Sequence, residues 1–162
     1  MAIVAIGLGG NLDHPLPRLR RVVADLSRFI DRGRLSRFYE TRAFPDPSEP
    51  NFVNAVFVGR TVFSPPDVLE KLQDIEVKHG RIKRGRWKSR EVDLDLIFYD
   101  DLVLTTADLI VPHAFMHERD CVLKPLKEIY PTWRHPVLGL DINQMITALD
   151  QETLSIIRVV IE

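Results

Sequence analysis

The sequence predicts an α+β fold: a mainly antiparallel sheet with flanking helices and a C-terminal extension. Three observations carry that prediction. Short apolar, β-branched runs alternate with amphipathic helical stretches. They follow one another as β-α-β, twice over, which is the order of a ferredoxin-like βαββαβ core. The chain has 162 residues, of which 45% are hydrophobic and 28% charged. That size and composition suit one globular domain spanning residues 1–162.

The elements read off in order. Ala2–Leu8 is a buried strand closed by a tight turn at Gly9-Gly10. Pro15 and Pro17 open a helix that carries Leu19, Val22, Val23, Leu26, Phe29 and Ile30 at helical spacing, with Gly33 as its stop. Leu35–Thr41 is the second strand. Residues 42–51 contain Pro45, Pro47 and Pro50 and form a loop. Phe52–Val62 is a strand, with Phe52 and Asn54 on one face and Val53 on the other. Ser64 caps a helix that starts at Pro65, runs through Val68, Leu72 and Ile75, and ends at Gly80. A basic loop leads to the strand Glu91–Tyr99. This gives an antiparallel sheet with helices on one face. The extension adds a helical segment near 113–129, a helix near 142–149 opened by Asp141, and a last strand, Leu154–Ile161.

Composition narrows the function. The net charge is −1, and a general nucleic-acid binder is usually basic. The single cysteine, Cys121, excludes a disulfide framework and a Cys-rich zinc module. No apolar run approaches the roughly 18 residues of a membrane span. The first residues lack the basic region of a signal peptide. The expectation is a cytoplasmic protein with no membrane, nucleic-acid or protein partner evident.

The chemistry gathers around Val92-Asp93-Leu94-Asp95-Leu96. On a strand, Asp93 and Asp95 share one face while their apolar neighbours point into the core. Two carboxylates about 7 Å apart repel when desolvated and call for a cation. Oxygen ligands on a rigid element suit Mg²⁺, which takes one or two carboxylates plus substrate phosphates. Spacing alone also fits an ordinary solvent-facing strand. The preceding loop shifts the balance. Lys78, Arg81, Lys83, Arg84, Arg86, Lys88 and Arg90 stand within 13 residues that contain no acid. Carboxylates beside clustered cations are what a metal–polyphosphate site needs. Such a loop is expected to close on the polyphosphate. The common phosphate motifs are absent: Gly80–Gly85 is not followed by Lys-Ser/Thr, and Gly7-Leu8-Gly9-Gly10 lacks the third glycine of G-x-G-x-x-G. His113 and His117 stand at i, i+4, but no acidic ligand accompanies them, so a surface position or a phosphate contact suits them better than zinc.

Together these segments resemble 6-hydroxymethyl-7,8-dihydropterin pyrophosphokinases of folate biosynthesis. The resemblance rests on Gly10-Asn11-Leu12, Ser36–Thr41, Pro50–Val56, Gln73–Glu76, Arg86-Trp87-Lys88-Ser89-Arg90-Glu91-Val92-Asp93-Leu94-Asp95 and Pro112-His113…Arg119. It implies a ferredoxin-like core and transfer of pyrophosphate from MgATP to the pterin hydroxymethyl group, with AMP released. It further implies that Asp93 and Asp95 hold two Mg²⁺ ions and that Arg81 and Arg90 act on the transferring group. Gln73, Glu76, Lys83, Trp87, His113 and Arg119 would surround the nucleotide. Thr41, Phe44, Phe52, Asn54 and Cys121 would form the pterin pocket. Cys121 stands where the family commonly carries an aromatic ring, and Arg42-Ala43 where it commonly carries two prolines. A modified pterin as acceptor is therefore one alternative. A non-catalytic nucleotide- or RNA-binding module on the same fold is the other.

Overall fold

The computed structural model describes residues 1–82, 85 and 88–160. Among them the chain forms β1 (Ala2–Gly10), α1 (Pro15–Leu26), β2 (Asp31–Leu35), β3 (Tyr39–Thr41), β4 (Phe52–Thr61) and α2 (Pro65–Lys78). It continues through β5 (Asp93–Tyr99), a small hairpin of β6 (Leu104–Thr105) and β7 (Ile110–Val111), α3 (Asp120–Ile129), α4 (Ile142–Thr147) and β8 (Ile156–Val159). The main sheet runs β5-β1-β4-β3-β8, with β2 also paired to β4, and every pairing is antiparallel. β2 and β3 lie end to end along β4 and together fill one strand position. This is the ferredoxin-like order, extended at one edge by β8.

Period-two alternation sorts the core into two layers. Val4, Ile6 and Leu8 of β1 pack with Leu19, Val22 and Leu26 of α1 and with Val68, Leu72 and Ile75 of α2. Each fully buried aliphatic side chain is worth about 2 kcal/mol. The neighbouring Ala5 faces the other way, with Val56, Val58, Ile97 and Phe98, under Val122, Leu123 and Leu126 of α3 and Ile142 and Met145 of α4. The helices therefore do not lie on one face as expected. A sheet apolar on both sides needs two covers, and the C-terminal extension supplies the second.

Several boundaries differ from the sequence reading for local reasons. Gly9 and Gly10 do not form a tight turn; they are paired strand residues, opposite Asn54 and Val53. The first helix ends at Leu26 rather than Gly33. Phe29 and Ile30 kept the helical spacing because the connection after the helix also packs on the core. The expected strand Leu35–Thr41 is split in two. Ser36 causes the break, because its hydroxyl, not a carbonyl, accepts the Val56 N–H at 2.9 Å. The segment near 113–129 is a 3₁₀ turn over Met116–Glu118 followed by α3. The last strand is shorter than Leu154–Ile161, and Ile161 lies outside the described residues. The hairpin β6–β7 was not anticipated.

The caps behave as predicted. Ser64 accepts from the Asp67 N–H at 3.3 Å. Asp141 opens α4 in a reciprocal capping box with Gln144. No helix among the described residues is long and apolar enough to cross a membrane.

Candidate active site

One row of residues crosses four adjacent strands. Asp93 of β5 sits opposite Gly9 of β1, Gly9 opposite Asn54 of β4, and Asn54 opposite Tyr39 of β3. Residues opposite one another in a ladder share a face, so this row lies on one side of the sheet. The next positions on that side are Asp95 opposite Gly7, and Phe52 opposite Thr41. The carboxylate pair and the Phe52–Asn54 pair thus share a surface, with glycines between them. Gly9 leaves the room: a Cβ there would overlap Asn54 Oδ1. Asn54 Nδ2 donates to Thr41 Oγ1 at 2.6 Å, and Thr41 is buried. The carboxamide is therefore held with its nitrogen on Thr41 and its oxygen over Gly9.

Cations bracket the first carboxylate. Asp93 Oδ1 accepts from Arg90 Nη1 at 2.8 Å and from Arg81 Nη1 at 3.3 Å. The same Arg81 nitrogen donates to Glu76 Oε2. Glu76 is buried on α2, and its Oε2 also accepts the Leu94 N–H at 3.0 Å, which fastens the free edge of β5 to α2. Burial raises the Glu76 carboxyl above the usual carboxylate range, against the pull of the Leu94 N–H and Arg81.

Asp95 is in a different condition. Burial, and then the Asp93 charge beside it, push its pKa up to about 7, with Arg119 opposing. No donor among the described residues bonds to its carboxylate. A rigid pair of carboxylates, one bracketed by arginines and one short of positive charge, fits a divalent cation. No cluster of three or more metal-ligating side chains occurs among the described residues. A pair is what Mg²⁺ uses when substrate phosphates complete its shell.

His113 follows β7. Burial and then Arg119 lower its pKa below the ordinary histidine value, while Asp93 raises it. Its Nδ1 accepts the Phe115 N–H at 3.3 Å, which puts the ring proton on Nε2. His117 does not join it. Its ring packs against His135, with centroids 6.0 Å apart. Cys121, and to a lesser degree Asp95 and Asp93, raise the Arg119 pKa against the effect of burial, which lowers it. Cys121 is buried at the start of α3, where desolvation raises the thiol's pKa.

Arg81, Arg90, Asp93 and Glu76 thus form one bonded cluster; Asp95, His113 and Arg119 feel its charges, and Thr41, Phe52 and Asn54 lie on the same side of the sheet. Gln73 is exposed on α2, three residues before Glu76. Phe44 is exposed in the loop before β4. Cys121 belongs to the core beneath α3, with Ala5 and Val56. Lys83 and Trp87, like Arg84 and Arg86, lie outside the described residues. Sequence reasoning gave no role to Gly7, Gly9 and Tyr39 in this row, because strand register cannot be read from spacing. Ser89, present within a motif, and Glu49 likewise had no role.

The sequence pattern of the 7,8-dihydro-6-hydroxymethylpterin-pyrophosphokinase family matches residues 5–131. A 2-amino-4-hydroxy-6-hydroxymethyldihydropteridine pyrophosphokinase of Synechocystis is 42% identical over 147 residues, covering 90% of this chain and 75% of that one. The protein of the same name from Aquifex aeolicus is 35% identical over 137 residues, covering 85% and 86%. Among solved structures, the Plasmodium falciparum HPPK-DHPS protein with pteroate shares the fold at a TM-score of 0.71 and 13% identity. That match covers 90% of this chain but only 42% of the Plasmodium chain, so the present chain spans less than half of that protein's length. With most of its length matched and its carboxylate pair, arginines and strand amide gathered on one sheet face, the chain belongs to the 7,8-dihydro-6-hydroxymethylpterin-pyrophosphokinase family.

Proposed function

We propose that this chain transfers the β,γ-pyrophosphate of ATP to the hydroxymethyl oxygen of 6-hydroxymethyl-7,8-dihydropterin, a step of folate biosynthesis, in the cytoplasm. The hydroxymethyl oxygen gives up its proton to solvent and bonds to the β-phosphorus. The bond from that phosphorus to the oxygen shared with the α-phosphate breaks, and AMP leaves. The observation that carries the reading is the strand row: Asp93 and Asn54 face the same space across Gly9.

The work of the protein is positioning and charge. Asp93 and Asp95 are the residues to hold Mg²⁺, two ions in this reading. Bound there, Mg²⁺ supplies positive charge to the phosphate oxygens. Arg81 and Arg90 lie on the Asp93 side of the group and place guanidinium charge where negative charge spreads during transfer. Glu76 keeps Arg81 from swinging away. The Nε2–H of His113 donates to a phosphate oxygen, and Arg119 adds charge on the Asp95 side. Gln73, Lys83 and Trp87 complete the nucleotide side. The Asn54 carboxamide, fixed by Thr41, pairs with the polar edge of the pterin, and Phe52 stacks on its ring. Phe44 and Cys121 are assigned to the outer and inner limits of that pocket. Two aspartates among the arginines would weaken a nucleic-acid site, since phosphodiesters gain nothing from carboxylates without metal.

Asp95→Ala tests the assignment. It should abolish AMP release while circular dichroism stays that of the parent. Unchanged turnover in this variant would remove the metal assignment.

A further inference from the structure

Two loops meet at a single buried amide just beyond the catalytic row. Asn11 follows β1 and is 5% exposed. Its Nδ2 donates to the Pro50 carbonyl at 2.9 Å and to Ser89 Oγ at 3.0 Å. Its Oδ1 accepts the Arg90 N–H at 2.8 Å, and its own N–H donates to the Arg90 carbonyl at 3.0 Å. The Ser89 hydroxyl, also buried, then donates to the Glu49 carboxylate. Glu49 and Pro50 belong to the loop that leads into Phe52 and Asn54. Ser89 and Arg90 belong to the loop that leads into Asp93. Close approach makes this possible: a Cβ on Gly10 would lie 2.5 Å from the Glu91 carbonyl oxygen. Arg18 of α1 reaches the Leu12 and Glu91 carbonyls at 2.9 and 3.3 Å from the same side.

We propose that Asn11, Ser89 and Glu49 form a positioning network that sets the distance between the two substrates. This rests on the transfer reaction proposed above. None of the three is assigned there to a substrate. Each acts through others: Ser89 and Asn11 through Arg90, Glu49 through Phe52 and Asn54. The geometry is that of a crosslink, because the Ser89–Glu49 bond joins the pterin-side loop to the nucleotide-side loop directly. In an in-line group transfer the attacking oxygen and the β-phosphorus must meet near contact distance, and a shift of about 1 Å can cost about 100-fold in rate. A network that fixes the spacing of two sites therefore controls turnover more than the affinity of either site.

This predicts a specific kinetic split. Ser89→Ala should lower kcat about tenfold or more and leave the KM values for ATP and for the pterin within about twofold. Ser89→Thr, which keeps the hydroxyl, should restore most of kcat. Glu49→Ala should reproduce the loss from the other loop. A second readout needs no turnover: in Ser89→Ala, amide hydrogen exchange should quicken in residues 46–51 although the substitution lies 40 residues away. A kcat unchanged in both alanine variants, or a rise confined to one KM, would overturn the network as a positioning device. Exchange unchanged in residues 46–51 would overturn the crosslink itself. A parent protein that releases no AMP would instead count against the proposed reaction, and the exchange arm would still judge the crosslink.

Discussion

Gly9 decides how close the two halves of the site can come. It stands between Asp93 and Asn54 in the ladder, and the Asn54 oxygen occupies the space its side chain would need. An added methyl group must push the carboxamide off Thr41 or bend β1. Overpacking of this kind costs about 1–3 kcal/mol. Gly9→Ala should therefore weaken pterin binding about 10–100-fold and leave the affinity for an ATP analogue close to that of the parent. Equal losses for both ligands, measured by titration calorimetry, would show that the methyl group disturbs the strand rather than the amide. The sequence showed Gly9 only as one of a glycine pair. Its neighbours across the sheet come from residues 45 and 84 positions away, and no local pattern reports them. Asp93 and Asp95 were legible for the opposite reason: period-two alternation is local, and two acids in a run of Val and Leu stand out.

At the scale of elements, the two helices under the sheet are tied by Asp25. Its carboxylate receives Lys78 Nζ at 2.8 Å and His79 Nε2 at 2.7 Å, joining α1 to the end of α2. The bonds from Lys78 and then His79 hold its pKa below the ordinary 3.8. An acid depressed in the folded state stabilises it above the unfolded pKa, and that stabilisation is lost as pH falls through the folded value. Asp25→Asn should accordingly lower the melting temperature at pH 7. The gap between variant and parent should close as the pH falls below 3.8. A gap that stays constant from pH 7 to pH 3 would mean that the tie is not electrostatic. Element order was legible throughout the core, since strand and helix periods differ. Element ends were less so. Phe29 and Ile30 continue a helical pattern after the helix has stopped, and a single serine hydroxyl breaks one strand into β2 and β3.

For the whole molecule, the charge balance is nearly zero while its distribution is not. Seven cations between Lys78 and Arg90 precede two aligned aspartates, inside a chain with a net charge of −1. The fold turns that sequence asymmetry into a site. α2 delivers Glu76 and holds Arg81, β5 presents the carboxylates, and β4 brings Asn54 to the same face. The C-terminal extension covers the second face of the sheet, and Asp120 at the start of α3 fastens β8 by accepting the Ser155 and Ile156 N–H groups, each at 2.9 Å. That second cover could not be read from the core pattern, because its partners lie in the last third of the chain.

In the reaction proposed above, both substrates meet on this face and pyrophosphate, not a single phosphate, moves between them. Mixing the protein with MgATP and 6-hydroxymethyl-7,8-dihydropterin and separating the nucleotides tests it directly. AMP and pterin diphosphate should form in equal amounts. ADP as the nucleotide product, or ATP left intact beside the pterin, would contradict it.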